Sequence, residues 1–223
     1  MDEYLSEQEQ WEWIKARIWE NGPWIVAGVA VGALLIGAWR WWQGRTEHLA
    51  LDAAARYEQV LRSFDQGDRA RGLSLLGQLK REHPGSPYVD QGDLAAARAL
   101  VETDDLQGAA ERLREVMQGS HDPELAMVAR LRLARVQIAL SKPDDALATL
   151  GDAHNGAFAT RAHEVRGDAL FAKGDRAGAL REYREAQAGA APRLAGKDIL
   201  TLKINDLLSE SDVTRATPAA AAK

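Results

Sequence analysis

The sequence predicts an all-α chain: a single N-terminal transmembrane helix, then a solenoid of about four helical hairpins closed by a C-terminal capping helix. Three observations predict it. Residues Asn21 to Trp39 run without a charge, a turn-then-helix pattern returns four times between Gly67 and Leu180, and strand-like alternation is almost absent beyond residue 46.

Residues 2 to 20 carry six acids against Lys15 and Arg17, yet Tyr4, Trp11, Ile14 and Ile18 recur at near-helical spacing, so 1–20 reads as a short amphipathic leader. Gly22 is expected to end that helix and Pro23 to start the next, because glycine suits the left-handed position past a C-terminus and proline the first helical turn. The apolar run that follows, assigned to 21–42, would rise ~28 Å over its uncharged part, close to the ~30 Å of bilayer hydrocarbon. All seven tryptophans fall in the first 42 residues, with Trp19 and Trp24 at one end of the run and Trp39, Trp41 and Trp42 at the other. Amphipathic rings favour the two headgroup layers, which makes this an aromatic belt. A cleaved signal peptide would end in small residues; this run ends in Trp39-Arg40-Trp41-Trp42. Gly28 and Gly32, four apart, would let a second helix backbone approach closely, although the same pattern arises without a partner in glycine-rich spans. Lys15 and Arg17 precede the run and Arg40 and Arg45 follow it, so positive charge does not choose an orientation.

From residue 46 to 208 the repeat is Gly67-Asp68, Asp104-Asp105, Ser141-Lys142 and Gly174-Asp175, with starts 37, 37 and 33 residues apart. Each turn precedes a helix whose first buried position is small. The fullest copy, Arg161 to Pro192, places Gly167 where two helices must touch, then Leu170, Phe171, Ala179, Tyr183 and Ala186. Such units resemble the tetratricopeptide repeat, a 34-residue helical hairpin. The stretch from Lys197 to Leu208 carries one apolar stripe and reads as the helix that covers the last hairpin. Residues 209–223 lack a burial pattern, and disorder is expected there.

The soluble part is close to charge-balanced, with 24 basic against 27 acidic residues beyond position 45, which argues against a nucleic-acid groove. The chain has no cysteine, so disulfides and thiolate chemistry are excluded. The five histidines fall in separate hairpins or turns, and no nucleophile motif or phosphate-cradling loop is found, so no catalytic, cofactor or metal site is expected. What remains is a surface. First helices of successive repeats line the concave face of such a stack, and repeat alignment puts Arg98, Arg135 and Asp168 at one step of it, with Ile138 and Phe171 a turn later. Two arginines, an acid and apolar neighbours suit capture of a polypeptide partner.

One combination carries a resemblance. The acidic leader, the run after Glu20-Asn21-Gly22, the exit Trp39-Arg40-Trp41-Trp42, Ala53-Ala54-Ala55-Arg56-Tyr57, the degenerate repeats and Leu202-Lys203-Ile204-Asn205-Asp206-Leu207 together resemble the YfgM family, ancillary subunits of the bacterial SecYEG translocon, over residues 1 to about 208. The resemblance implies a bacterial inner-membrane protein with its leader in the cytoplasm and its repeats in the periplasm. It also implies partnership with the translocon, with a PpiD-like membrane-anchored chaperone and with exported polypeptides, and contact of the leader with a cytoplasmic response regulator. It supplies no catalytic residues. A homo-oligomeric scaffold for cell-envelope assembly or stress-response regulation is the competing expectation.

Overall fold

The structure, a computed structural model, describes residues 7–152, 156–189 and 197–216. Two compact units divide the chain, Met1–Asp52 and Ala53–Lys223. Helix α1 (Glu7–Asp65) supplies the described part of the first unit and the opening of the second. The second continues as α2 (Arg69–Glu82), α3 (Pro87–Glu102), α4 (Leu106–Gly119), α5 (Pro123–Ala139), α6 (Pro143–Leu150), α7 (Ala159–Lys173), α8 (Arg176–Gly189) and α9 (Lys197–Ala216), with a short 3-10 turn at Gly156–Phe158. Among the described residues there is no strand, and the architecture is the all-helical tetratricopeptide-like solenoid the sequence predicts.

One expectation about the N-terminal region requires correction. Helix α1 continues through Gly22 and Pro23, where a break was expected. Glycine and proline cost about 1 and 3 kcal/mol in a helix interior, but long flanking runs of helix formers carry the helix past them. The span assigned to 21–42 lies within α1. Among the described residues no helix is long and apolar enough to cross a membrane. The side chains of residues 21–23 and of Ile25 lie outside those described, so the apolar run assigned to 21–42 is described only in part. The proposed tail begins inside α9, which runs to Ala216; residues 217–223 lie outside the described ones, as does Pro192.

The four hairpin turns are one structure repeated. Gly67, Asp104, Ser141 and Gly174 all take positive φ, between 58° and 91°. In each, the next residue's N–H donates to the carbonyl five residues back: Asp68 to Ser63, Asp105 to Leu100, Lys142 to Gln137 and Asp175 to Leu170, at 2.8–2.9 Å. This left-handed cap satisfies carbonyls that the helix end leaves open. The same residue then starts the next helix in three of the turns. Asp68, Asp105 and Asp175 accept from the backbone N–H of Arg71, Gly108 and Gly178 at 3.1, 3.0 and 2.8 Å. Lys142 makes no such cap, and Pro143 opens α6 in its place.

Packing is local, pair by pair. Ala53 and Val60 of α1 meet Leu76 and Leu79 of α2 and Ala96 of α3. Leu100, Leu113 and Leu133 join α3, α4 and α5, while Leu131, Leu150 and Val165 join α5, α6 and α7. Tyr183 and Ala186 of α8 pack with Leu200, Ile204 and Leu207 of α9, so the terminal helix covers the last hairpin as expected. Close approach explains Gly167: a Cβ there would lie 2.5 Å from Tyr183 Cε1. Gly72 is in the same position against Phe64, at 2.4 Å.

Candidate functional site

Two adjoining hollows follow the first helices of successive hairpins. The nearer, of about 340 Å³, lies between α3 and α5 over an apolar floor of Leu94, Ala97, Val101, Leu113 and Val136. Arg98, Glu102, Arg132 and Arg135 rim it. The farther, of about 420 Å³, lies between α5 and α7 and is lined by Arg135, Ile138, Ala139, Asp168, Phe171 and Ala172. Arg135 lines both. The five residues selected from repeat alignment therefore come together along one face, four of them in a single hollow.

Their surroundings differ. Arg98 is exposed and donates from Nε to Glu102 one turn on, at 2.8 Å. Phe171 is 41% exposed, a large apolar ring left in water, with the Arg176 guanidinium 5.9 Å from its centre. Ile138 is half-buried against the α5–α7 core. Asp168 is already engaged: it accepts from Lys203 Nζ at 2.6 Å and from the Tyr183 hydroxyl at 2.8 Å. Burial and then this bond to a carboxylate push the Tyr183 phenol far above its ordinary range, so it stays a donor.

Beneath this face Glu164 collects three cations. Its side chain, 11% exposed, accepts from Arg161 at 2.7 Å and Lys203 at 3.4 Å, and Arg135 stands at 3.9 Å. Burial alone would raise its carboxyl; the Arg161 hydrogen bond and the charges of Lys203, Arg161 and Arg135 outweigh that and hold it below the usual range. Lys203 thus ties α9 to two carboxylates of α7, a link 35 and 39 residues apart in sequence that no local spacing reveals.

Repeat alignment also missed Arg132. Its counterpart one repeat earlier is Ala95, so no ladder appears at that step. The available signal was the spacing of Arg132 and Arg135, three apart on one helical face. The transmembrane-packing pair stands apart from this site: a Cβ added at Gly28 or Gly32 would meet nothing within 4 Å. A larger hollow, of about 560 Å³, opens near Pro84, Pro87 and His121. Its Lys80 is already shared between Asp93, 4% exposed, at 2.8 Å and Glu115 at 2.7 Å, which makes it a structural brace between α2, α3 and α4.

Helical hairpins stacked in one dimension, with a charged and apolar face along their first helices, define a tetratricopeptide-like repeat protein. The profile described as a tetratricopeptide repeat-like domain matches residues 15–209. The chain is similar to proteins named ancillary SecYEG translocon subunit: 30% identical to that of Escherichia coli (strain K12) over 93% of this chain and 99% of the relative. It is 28% identical to that of Haemophilus influenzae (92% and 99%) and 24% to that of Neisseria gonorrhoeae (93% and 100%). The chain belongs to the ancillary SecYEG translocon subunit family, the YfgM family that its sequence resembles.

Proposed function

We propose that this protein is a membrane-anchored, non-enzymatic adaptor of the Sec translocon. It holds a PpiD-like periplasmic chaperone, and the exported chains that chaperone meets, beside the translocon. The observation that carries the reading is likeness to ancillary translocon subunits from end to end, at 93% of this chain against 99% of the relative, with the charge-free run and the repeats both inside the match. Residues 21–42 are the anchor in this reading. Their described side chains support it: Trp24, Val26, Leu34, Leu35 and Ile36 are all exposed, a cylinder of apolar surface that water disfavours and lipid accepts. The leader then lies in the cytoplasm, where a response regulator has access to it, and the repeats in the periplasm of a bacterial inner membrane.

The test is extraction with alkaline carbonate, followed by affinity purification in mild detergent. The protein is expected in the membrane pellet and in association with translocon subunits and a PpiD-like chaperone; release into the carbonate supernatant sinks the anchor, and recovery without either partner sinks the adaptor. A homo-oligomeric scaffold is a second reading, favoured by the four-residue spacing of Gly28 and Gly32. Light scattering that returns a monomer in detergent would dispose of it.

A further inference from the structure

The face along α3, α5 and α7 is unevenly charged. The α3–α5 hollow has three arginines around an apolar floor and a single carboxylate, Glu102, which Arg98 already holds as an exposed pair between neighbouring turns. Such a pair is worth little and is exchanged easily. Among the described residues Arg132 pairs with no carboxylate. Arg135 is the most distant of the three cations around Glu164, so it is free to turn outward without leaving that carboxylate unpaired. In the α5–α7 hollow the one acid, Asp168, has its charge answered by Lys203, and the apolar surface is the half-buried Ile138 with the exposed Ala139, Phe171 and Ala172.

Within the adaptor reading, on which the inference rests, we infer that the occupant of this face is an acidic, apolar-flanked polypeptide segment. One apolar side chain of the partner enters the α3–α5 hollow. Its carboxylates meet Arg132 and Arg135 where the two hollows adjoin, and a second apolar side chain lies on Ile138 and Phe171. The order apolar, acidic, apolar follows from Arg135 lining both hollows. Guanidinium groups bind carboxylates in a fixed two-point geometry, and a lysine at the same place would face like charge, so the surface selects as well as binds.

The probe is a pair of short fluorescent synthetic peptides, identical except that two leucines bracket two glutamates in one and two lysines in the other. Each is titrated against the full chain in lipid nanodiscs, with empty nanodiscs as blank. The glutamate peptide should bind at least about tenfold more tightly, and its advantage should shrink as salt rises. Arg132→Glu, at an exposed residue, and Arg135→Gln, which places no second acid beside Glu164, should each reduce the preference, whereas Phe171→Ser should weaken both peptides about equally and leave the preference intact. Equal affinity for the two peptides, no binding of either, or a preference unchanged by Arg132→Glu overturns the inference. Carbonate extraction and translocon recovery do not depend on these side chains, so failure here is distinguishable from failure of the adaptor reading.

Discussion

Glu164 shows how much a single side chain carries in this stack. It is nearly dry, faces Arg161, Lys203 and Arg135, and thereby joins α5, α7 and α9. Its carboxyl is held below its ordinary value in the folded state, so the stability it contributes is fully present above its unfolded value, ~4.3, and is lost as pH falls through the folded value. Glu164→Gln should therefore destabilise the repeat unit by about 1–3 kcal/mol at neutral pH. The gap from the parent protein should close under acid, as read by urea unfolding across that range. A constant gap at every pH would show that the residue acts through shape alone. The Arg161 partner, three residues back on the same helix, was legible in the sequence; the other two were not. Glu164 sits in an ordinary helical pattern, and its partners Arg135 and Lys203 come from other hairpins. Arg98, Arg135 and Asp168 were legible, because a repeat aligns equivalent positions by counting.

The hairpin turn is the element that the sequence announced most clearly, and counting worked there because the geometry is the same each time. What the sequence did not announce is that the turns without glycine keep the same backbone. Asp104 and Ser141 adopt φ of 61° and 58°, where glycine sits at 75° and 91° in the other two. A side chain in the left-handed region costs roughly 1–2 kcal/mol, less for aspartate than for most residues. Ser141→Gly should thus raise stability by about 0.5–1 kcal/mol and Asp104→Gly by less, whereas Gly174→Ala should lower it by about 1 kcal/mol. Thermal unfolding of the three variants gives the order directly, and a destabilising Ser141→Gly would contradict it. Helix contacts give a second case. Gly167→Ala forces its new methyl into the buried Tyr183 ring, which also holds Asp168, so about 1–3 kcal/mol of destabilisation is expected. The unbroken α1 marks the opposite limit: Gly22-Pro23 has the chemistry of a helix boundary, yet helix on both sides overrode it.

At the scale of the molecule, the repeat unit is a chain of neighbours. Each core cluster joins neighbouring helices, and braces such as Lys80 to Glu115 and Lys203 to Asp168 and Glu164 add ties between helices that are not consecutive. That organisation was readable from period alone, since every hairpin must bury its apolar face on the next. It also sets how damage spreads. Helix α9 covers the last hairpin through Leu200, Ile204 and Leu207 against Tyr183 and Ala186, and through Lys203 against α7. Replacing Ile204 by alanine should cost about 2–5 kcal/mol, because the methyl groups lost are enclosed and the neighbours relax only partly. In a solenoid that loss should stay near its end: amide exchange is expected to quicken in α7, α8 and α9 and to remain slow in α3 and α4. Lys203→Met separates the two contributions, keeping apolar bulk while releasing Asp168 and Glu164, and should loosen α9 without exposing the Tyr183 cluster. Uniform acceleration of exchange across all the hairpins of the Ile204→Ala protein would mean that the unit unfolds as one body, and nearest-neighbour packing would then be the wrong account of its stability.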